Sequence, residues 1–96
     1  MDKVITAVDM VKASGNKALA AKRLYVKLGY TIRELKNEIT SAQRTGKYRL
    51  VSNLHAALNY RRIELANARD EYEECRAEYS YLCNMKFALE QKAKAA

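Results

Sequence analysis

The sequence contains no proline and no tryptophan, and only three glycines among 96 residues. Proline removes a backbone donor and clashes with the preceding turn, and glycine costs about 1 kcal/mol against alanine inside a helix. Their scarcity therefore permits long, uninterrupted helices. The single histidine, His55, has no sequence pattern tying it to a nucleophile or a metal set. Glycine-rich phosphate loops are missing, because Gly15, Gly29 and Gly46 stand alone. With no catalytic constellation, no cofactor motif and no metal-ligand spacing, the expected activity is binding rather than catalysis. The only two cysteines, Cys75 and Cys83, lie eight residues apart. On one helix their Cα atoms would be about 12 Å apart, too far for a disulfide. Free thiols fit a reducing cytoplasm. No apolar run approaches a membrane-spanning length and no leader pattern opens the chain, so the expectation is a cytoplasmic protein without a membrane partner.

What is present is helix-forming. Alanine, lysine, leucine, glutamate and arginine dominate, and charged residues make up 30% of the chain. A first helix is expected over 2–13, with Asp2 as its N-cap and Val4, Ile5, Val8 and Val11 on one face. Ser14-Gly15-Asn16 reads as a break. A second helix follows over 17–45, with a seam of Ala18, Ala21, Tyr25, Leu28, Ile32, Leu35, Ile39 and Ala42 in alternating steps of three and four. Gly29 falls outside this seam and would suit a close approach of another backbone. Thr45-Gly46-Lys47 is a second break, with Gly46 as C-terminal cap and Arg44 complementing the helix dipole. A long helix is expected over 48–92, with Val51, Leu54, Leu58, Arg61, Leu65, Ala68, Tyr72, Cys75, Tyr79, Leu82 and Leu89 along its seam and fraying at its end.

Two seamed helices joined by a short turn make an antiparallel hairpin. The fold class expected for the single helical domain 1–96 is all-α: a coiled-coil-like antiparallel helical hairpin with a short N-terminal third helix. That third helix can extend the line of the second across Gly15, or fold back. Self-association, a homodimer in the simplest case, is a further expectation, because a lone hairpin leaves Leu19, Val26, Ile63 and Phe87 poorly covered. In the hairpin register, Lys17, Lys22, Arg23 and Lys27 come opposite an acidic stretch from Glu64 to Glu78, and Glu34 and Glu38 come opposite Arg61 and Arg62. Ion pairs across the hairpin are therefore expected.

The formal net charge is +7, which favours acidic partners. Residues 1–62 hold thirteen Lys/Arg against four Asp/Glu, and residues 63–96 hold five against seven. Cancelling the facing pairs leaves positive charge at the hairpin tip: Arg44, Lys47 and Arg49, with Arg61 and Arg62 expected one to two turns below. Tyr48 and Tyr60 lie among them. Arginine with tyrosine is the composition of protein-interface hot spots, and equally of phosphate contact with base stacking. Tyr25, Tyr72 and Tyr79 read as seam residues, Tyr30 and Tyr81 as exposed.

The expected partner-binding set is thus Arg44, Lys47, Tyr48, Arg49, Tyr60, Arg61 and Arg62. The partner would be an acidic protein surface or a protein–nucleic-acid complex, with direct nucleic-acid binding or a structural coiled-coil role as alternatives. In general profile the chain (short, all-helical, without catalytic residues) is similar to small accessory proteins of bacteriophages and mobile elements, including inhibitors of bacterial defence complexes such as anti-CRISPR proteins. That resemblance implies docking onto a larger complex in the host cytoplasm and blocking it.

Overall fold

The computed structural model describes residues 2–95, and the side chains of all of these except Asp2 and Ile5. Two helices make up the hairpin: α1 (Asp2–Arg44) of 43 residues and α2 (Tyr48–Ala95) of 48. The N-cap expected of Asp2 and the packing role of Ile5 lie outside the described side chains. The molecule is a rod, 74 × 15 × 15 Å between Cα extremes. Its radius of gyration is 21.3 Å, against roughly 12–13 Å for a globule of this length.

The short N-terminal third helix is not formed. α1 runs unbroken through Ser14-Gly15-Asn16, for a reason the steps of three and four reveal once extended. Val4, Ala7, Val11, Ser14 and Ala18 continue the seam of Ala21 through Ala42 without a skipped position. Ala7 is the most buried of them, at 2% exposure, while Val8, expected on the packed face, is exposed. Small residues let α2 approach closely here, and that packing outweighs the ~1 kcal/mol propensity cost of a glycine. Gly15 is not a terminator. A Cβ built on it would lie 3.0 Å from Cε2 of Tyr79, so its bare backbone is where the Tyr79 ring rests. Gly29, expected to mark a close approach, has nothing within 4 Å of its would-be Cβ.

Gly46 closes α1 as expected, with φ of 70°. Lys47 N–H donates to Ala42 O at 3.0 Å and Gly46 N–H to Gln43 O at 3.2 Å, the paired bonds of a Schellman ending. The chain then turns at once into α2, where Val51 N–H donates to Lys47 O at 3.0 Å. Contrary to the expected fraying, α2 remains helical to Ala95.

The core differs along the rod. Near the tip Ile32, Ile39 and Leu58 are buried, with Leu35, Val51, Leu54 and Leu65 packed against them. Farther out the seam is built of Ala7, Ala21, Ala68 and Cys75, with Leu82 near the far end. Tyr25 and Tyr72 stack there, ring centroids 6.2 Å apart at 28°, a contact contributing ~0.5–1.5 kcal/mol beyond its buried area. No large side chain among the described residues is completely buried. A single seam between two cylinders encloses only one row of side chains from each.

The expected ion pairs across the hairpin are not made. Those among the described residues all lie within α2: Arg61–Glu64 at 2.7 Å, Arg69–Asp70 at 3.9 Å and Lys86–Glu90 at 3.5 Å. Residues three or four apart on one helix meet with less ordering of long side chains than residues on two helices. The apolar seam, rather than direct ion pairing, therefore carries the register. Tyr30 and Tyr81 are exposed and both cysteines are free, as expected.

Candidate partner-binding surface

The seven residues expected to bind a partner do not form one patch. Arg44, Lys47, Tyr48 and Arg49 cluster at the tip and are exposed, Tyr48 at 78%. None of the three cations has an ion pair among the described residues. They gather at the N-terminus of α2, whose first turn carries no acidic residue. The free N–H groups of a helix start are already electropositive, so Lys47 and Arg49 add charge of the unfavourable sign. The tip is anion-receptive at a cost to local stability.

Tyr60, Arg61 and Arg62 sit much farther away than one to two turns. Twelve residues separate Arg49 from Arg61, which is roughly 18 Å at 1.5 Å per residue. The three also point in different directions. Arg61 occupies a seam position, half-buried, where its guanidinium binds Glu64 at 2.7 Å and stands 5.5 Å from the Tyr60 ring centroid. It is an internally satisfied seam residue. Of these two arginines only Arg62 is exposed and, among the described residues, free of an ion pair.

Arg62 belongs instead to a surface not seen in the linear charge count. Two sets of grooves define the two flanks of the hairpin. On one flank Lys12, Gly15 and Lys22 of α1 line a groove with Tyr72, Arg76 and Tyr79 of α2. On the other, Lys3, Thr6 and Met10 line a groove with Met85 and Leu89, and Glu38, Ser41 and Thr45 line another with Leu50 and Leu54. Residues seven apart share a face in a heptad helix. The first flank therefore also carries Lys36 below Lys22, and Arg62 and Arg69 below Arg76, all exposed. Lys12 and Arg33 border it on α1; Asp70 pairs with Arg69 at 3.9 Å, and Glu73 and Glu90 lie beside the row. Consecutive arginines on α2 are about 10.5 Å apart along the axis.

The acidic stretch of α2 is interleaved with these arginines in sequence but not in space. Glu64, Glu71 and Glu78 repeat every seven residues on the opposite flank, beside Glu74. The arginine row and the main glutamate row of α2 thus lie on opposite flanks of the rod. Among the cations, the basic flank also exposes Leu19, Val26, Tyr30 and Phe87. Leu19, Val26 and Tyr30 line a shallow groove with Lys22 and Arg23, which crosses the outer face of α1 to Lys27 and Glu34 at the edge of the other flank.

One titration stands apart. The Cys83 sulfur, a turn beyond Tyr79, holds the Tyr79 phenol above the ordinary tyrosine value. A sulfur that can accept the phenolic proton, and that becomes negative when ionised, disfavours the phenolate. Among the described residues no group of three or more His, Cys, Asp or Glu could hold a metal ion, and no helix is long and apolar enough to cross a membrane. Compared with family models, curated proteins and solved structures, the chain matches none.

Proposed function

We propose that this chain is a non-enzymatic docking module that lays its basic flank and tip against an acidic protein surface and acts by occupying it. The observation that supports this reading is the gathering of Lys22, Lys36, Arg62, Arg69 and Arg76 on one flank, with Glu64, Glu71 and Glu78 turned to the other. Cations on one face of a rigid rod steer association and orient the bound partner. A protein partner is favoured over nucleic acid by what lies between the cations. Leu19, Val26 and Phe87 are exposed there, and phosphates offer nothing to aliphatic side chains. An acidic, partly apolar protein surface satisfies both. A rod 74 Å long covers enough of a larger complex to exclude that complex's own ligand, which is how small accessory inhibitors act.

The test pairs wild-type protein with the triple variant Arg62→Glu/Arg69→Glu/Arg76→Glu as baits in the source-cell lysate, with and without nuclease. A protein retained by the wild type, lost on the variant and indifferent to nuclease supports the reading, provided helical circular dichroism is unchanged. Retention that disappears with nuclease assigns the flank to nucleic acid and overturns it.

A further inference from the structure

The flank opposite the basic one is built differently, and its pattern matches itself. α1 contributes Met10, Lys17, Leu24 and Lys27, and α2 contributes Glu64, Glu71, Glu74, Glu78, Tyr81 and Met85. Met10, Leu24 and Tyr81 are exposed. Away from the tip, where Glu38 stands on α1, one helix therefore presents a basic and apolar row and the other an acidic and apolar row.

We infer that this flank binds a second copy of the chain, giving a four-helix bundle with a two-fold axis along the rod. Such an axis sets α1 of each copy antiparallel on α2 of the other at the level the hairpin itself uses. In the hairpin Gly15 meets Tyr79, Tyr25 stacks on Tyr72 and Met10 borders Met85. In the dimer Lys17 therefore comes level with the stretch between Glu74 and Glu78, Lys27 comes between Glu64 and Glu71, and Met10 meets Tyr81 and Met85. Both halves of the interface are identical, as an isologous contact requires. The alternative two-fold, across the rod, would set the α2 glutamates against themselves. Association through the basic flank would do the same to its arginines.

The thin core makes the same demand. Among the described residues no large side chain is completely buried in the single hairpin, and a second layer would cover the exposed methionine, leucine and tyrosine of this flank. A face 74 Å long and 15 Å wide offers on the order of 1,000 Å² per partner, above the ~800 Å² of a standard interface. The dimer leaves the basic flank outward and does not depend on the proposed partner.

Sedimentation velocity over a wide concentration range tests this with the full chain and two charge-reversed variants, Glu71→Lys/Glu78→Lys and Lys17→Glu/Lys27→Glu. Wild type sediments as a dimer. Each variant alone dissociates at least about ten-fold more readily. Mixed together, the two variants form a heterodimer, because each then meets the opposite charge on both halves of the contact. Circular dichroism melts of each variant establish that the hairpin is intact, and Met10→Lys/Met85→Lys, which leaves the charge rows in place, also dissociates the dimer. A wild type that stays monomeric throughout overturns the inference. So does a dimer unmoved by these changes but broken by Lys22→Glu/Arg69→Glu.

Discussion

The ring of Tyr79 lies on the bare backbone of Gly15, at a distance where an added Cβ would stand 3.0 Å from Cε2. A glycine that resembles a helix break is thus a place where a side chain of α2 reaches the backbone of α1, and α1 continues because Tyr79 needs that space.

The three glycines should respond differently to alanine. At Gly29 nothing lies within 4 Å, so Gly29→Ala should stabilise by ~0.5–1 kcal/mol, the ordinary helix-propensity gain. At Gly15 the same gain is offset by displacement of Tyr79, and Gly15→Ala should be close to neutral. Gly15→Leu should destabilise by ~1–3 kcal/mol through overpacking. At Gly46, with φ of 70°, alanine should cost ~1–2 kcal/mol because an L side chain crowds the following carbonyl. Thermal or urea melts of the four variants check the order.

Ser14 faces the same region. It is 5% exposed and its Oγ has no hydrogen-bond partner among the described residues. A buried hydroxyl without a partner loses its hydration uncompensated. Ser14→Ala should therefore stabilise by ~1 kcal/mol, and by the same amount at every salt concentration, since no charge is involved. Urea melts at low and high salt measure both.

How much of this could be read beforehand follows from which forces are periodic. The seam from Ala18 to Ala42, its counterpart from Val51 to Leu89 and the Gly46 turn follow from apolar spacing and from one residue's backbone freedom. Both are local properties. The continuity of α1 was hidden because the seam residues on either side of Gly15 are Ala7, Ser14 and Ala18, which carry little apolar signal. Their smallness has meaning only beside Tyr72 and Tyr79, which the chain reaches some sixty residues later. The grouping of the cations on the surface is hidden for a related reason. Charge summed along the chain merges Arg69 and Arg76 with Glu71 and Glu78, whereas sorting by heptad position assigns them to opposite flanks. Of the residues expected at the site, Arg62 joins the basic flank and Arg61 turns inward to Glu64. Nothing in the linear order distinguishes those neighbours.

The Tyr79 phenol should titrate above the ordinary tyrosine range because of Cys83. A proton held more tightly in the folded state stabilises the fold below the ordinary tyrosine value of ~10, and that contribution is lost as pH rises through the raised one. Absorbance titration should show one late tyrosine in the wild type. Cys83→Ala should bring it back among the others and flatten the alkaline fall in melting temperature. An unchanged titration in the variant would place the cause elsewhere.

The start of α2 should be improvable at the expense of binding. Lys47 supplies the carbonyl that begins the helix but no accepting side chain, and neither it nor Arg49 suits the positive helix end. Lys47→Asp should add a cap and reverse the charge, stabilising by ~0.5–2 kcal/mol. If the tip contacts an acidic partner, the same change should weaken capture and reduce its salt dependence. Melting and binding would then move in opposite directions, which a purely structural turn would not produce.

Arg61 separates stability from recognition most sharply. It interrupts the apolar seam, and its guanidinium is held by Glu64 at 2.7 Å with side-chain exposures of 43% and 32%. An ion pair so open to water contributes only ~0.2–1 kcal/mol. Leucine there would bury apolar surface between Leu58 and Leu65 worth ~1.5–3 kcal/mol at full burial. Arg61→Leu should therefore raise stability by ~1 kcal/mol net, the gain being partial because the site is only half-buried. Partner capture should be unaffected, since Arg61 faces its own helix. A loss of capture equal to that of Arg62→Glu would mean that Arg61 leaves Glu64 on binding, and would return it to the contact surface with Tyr60.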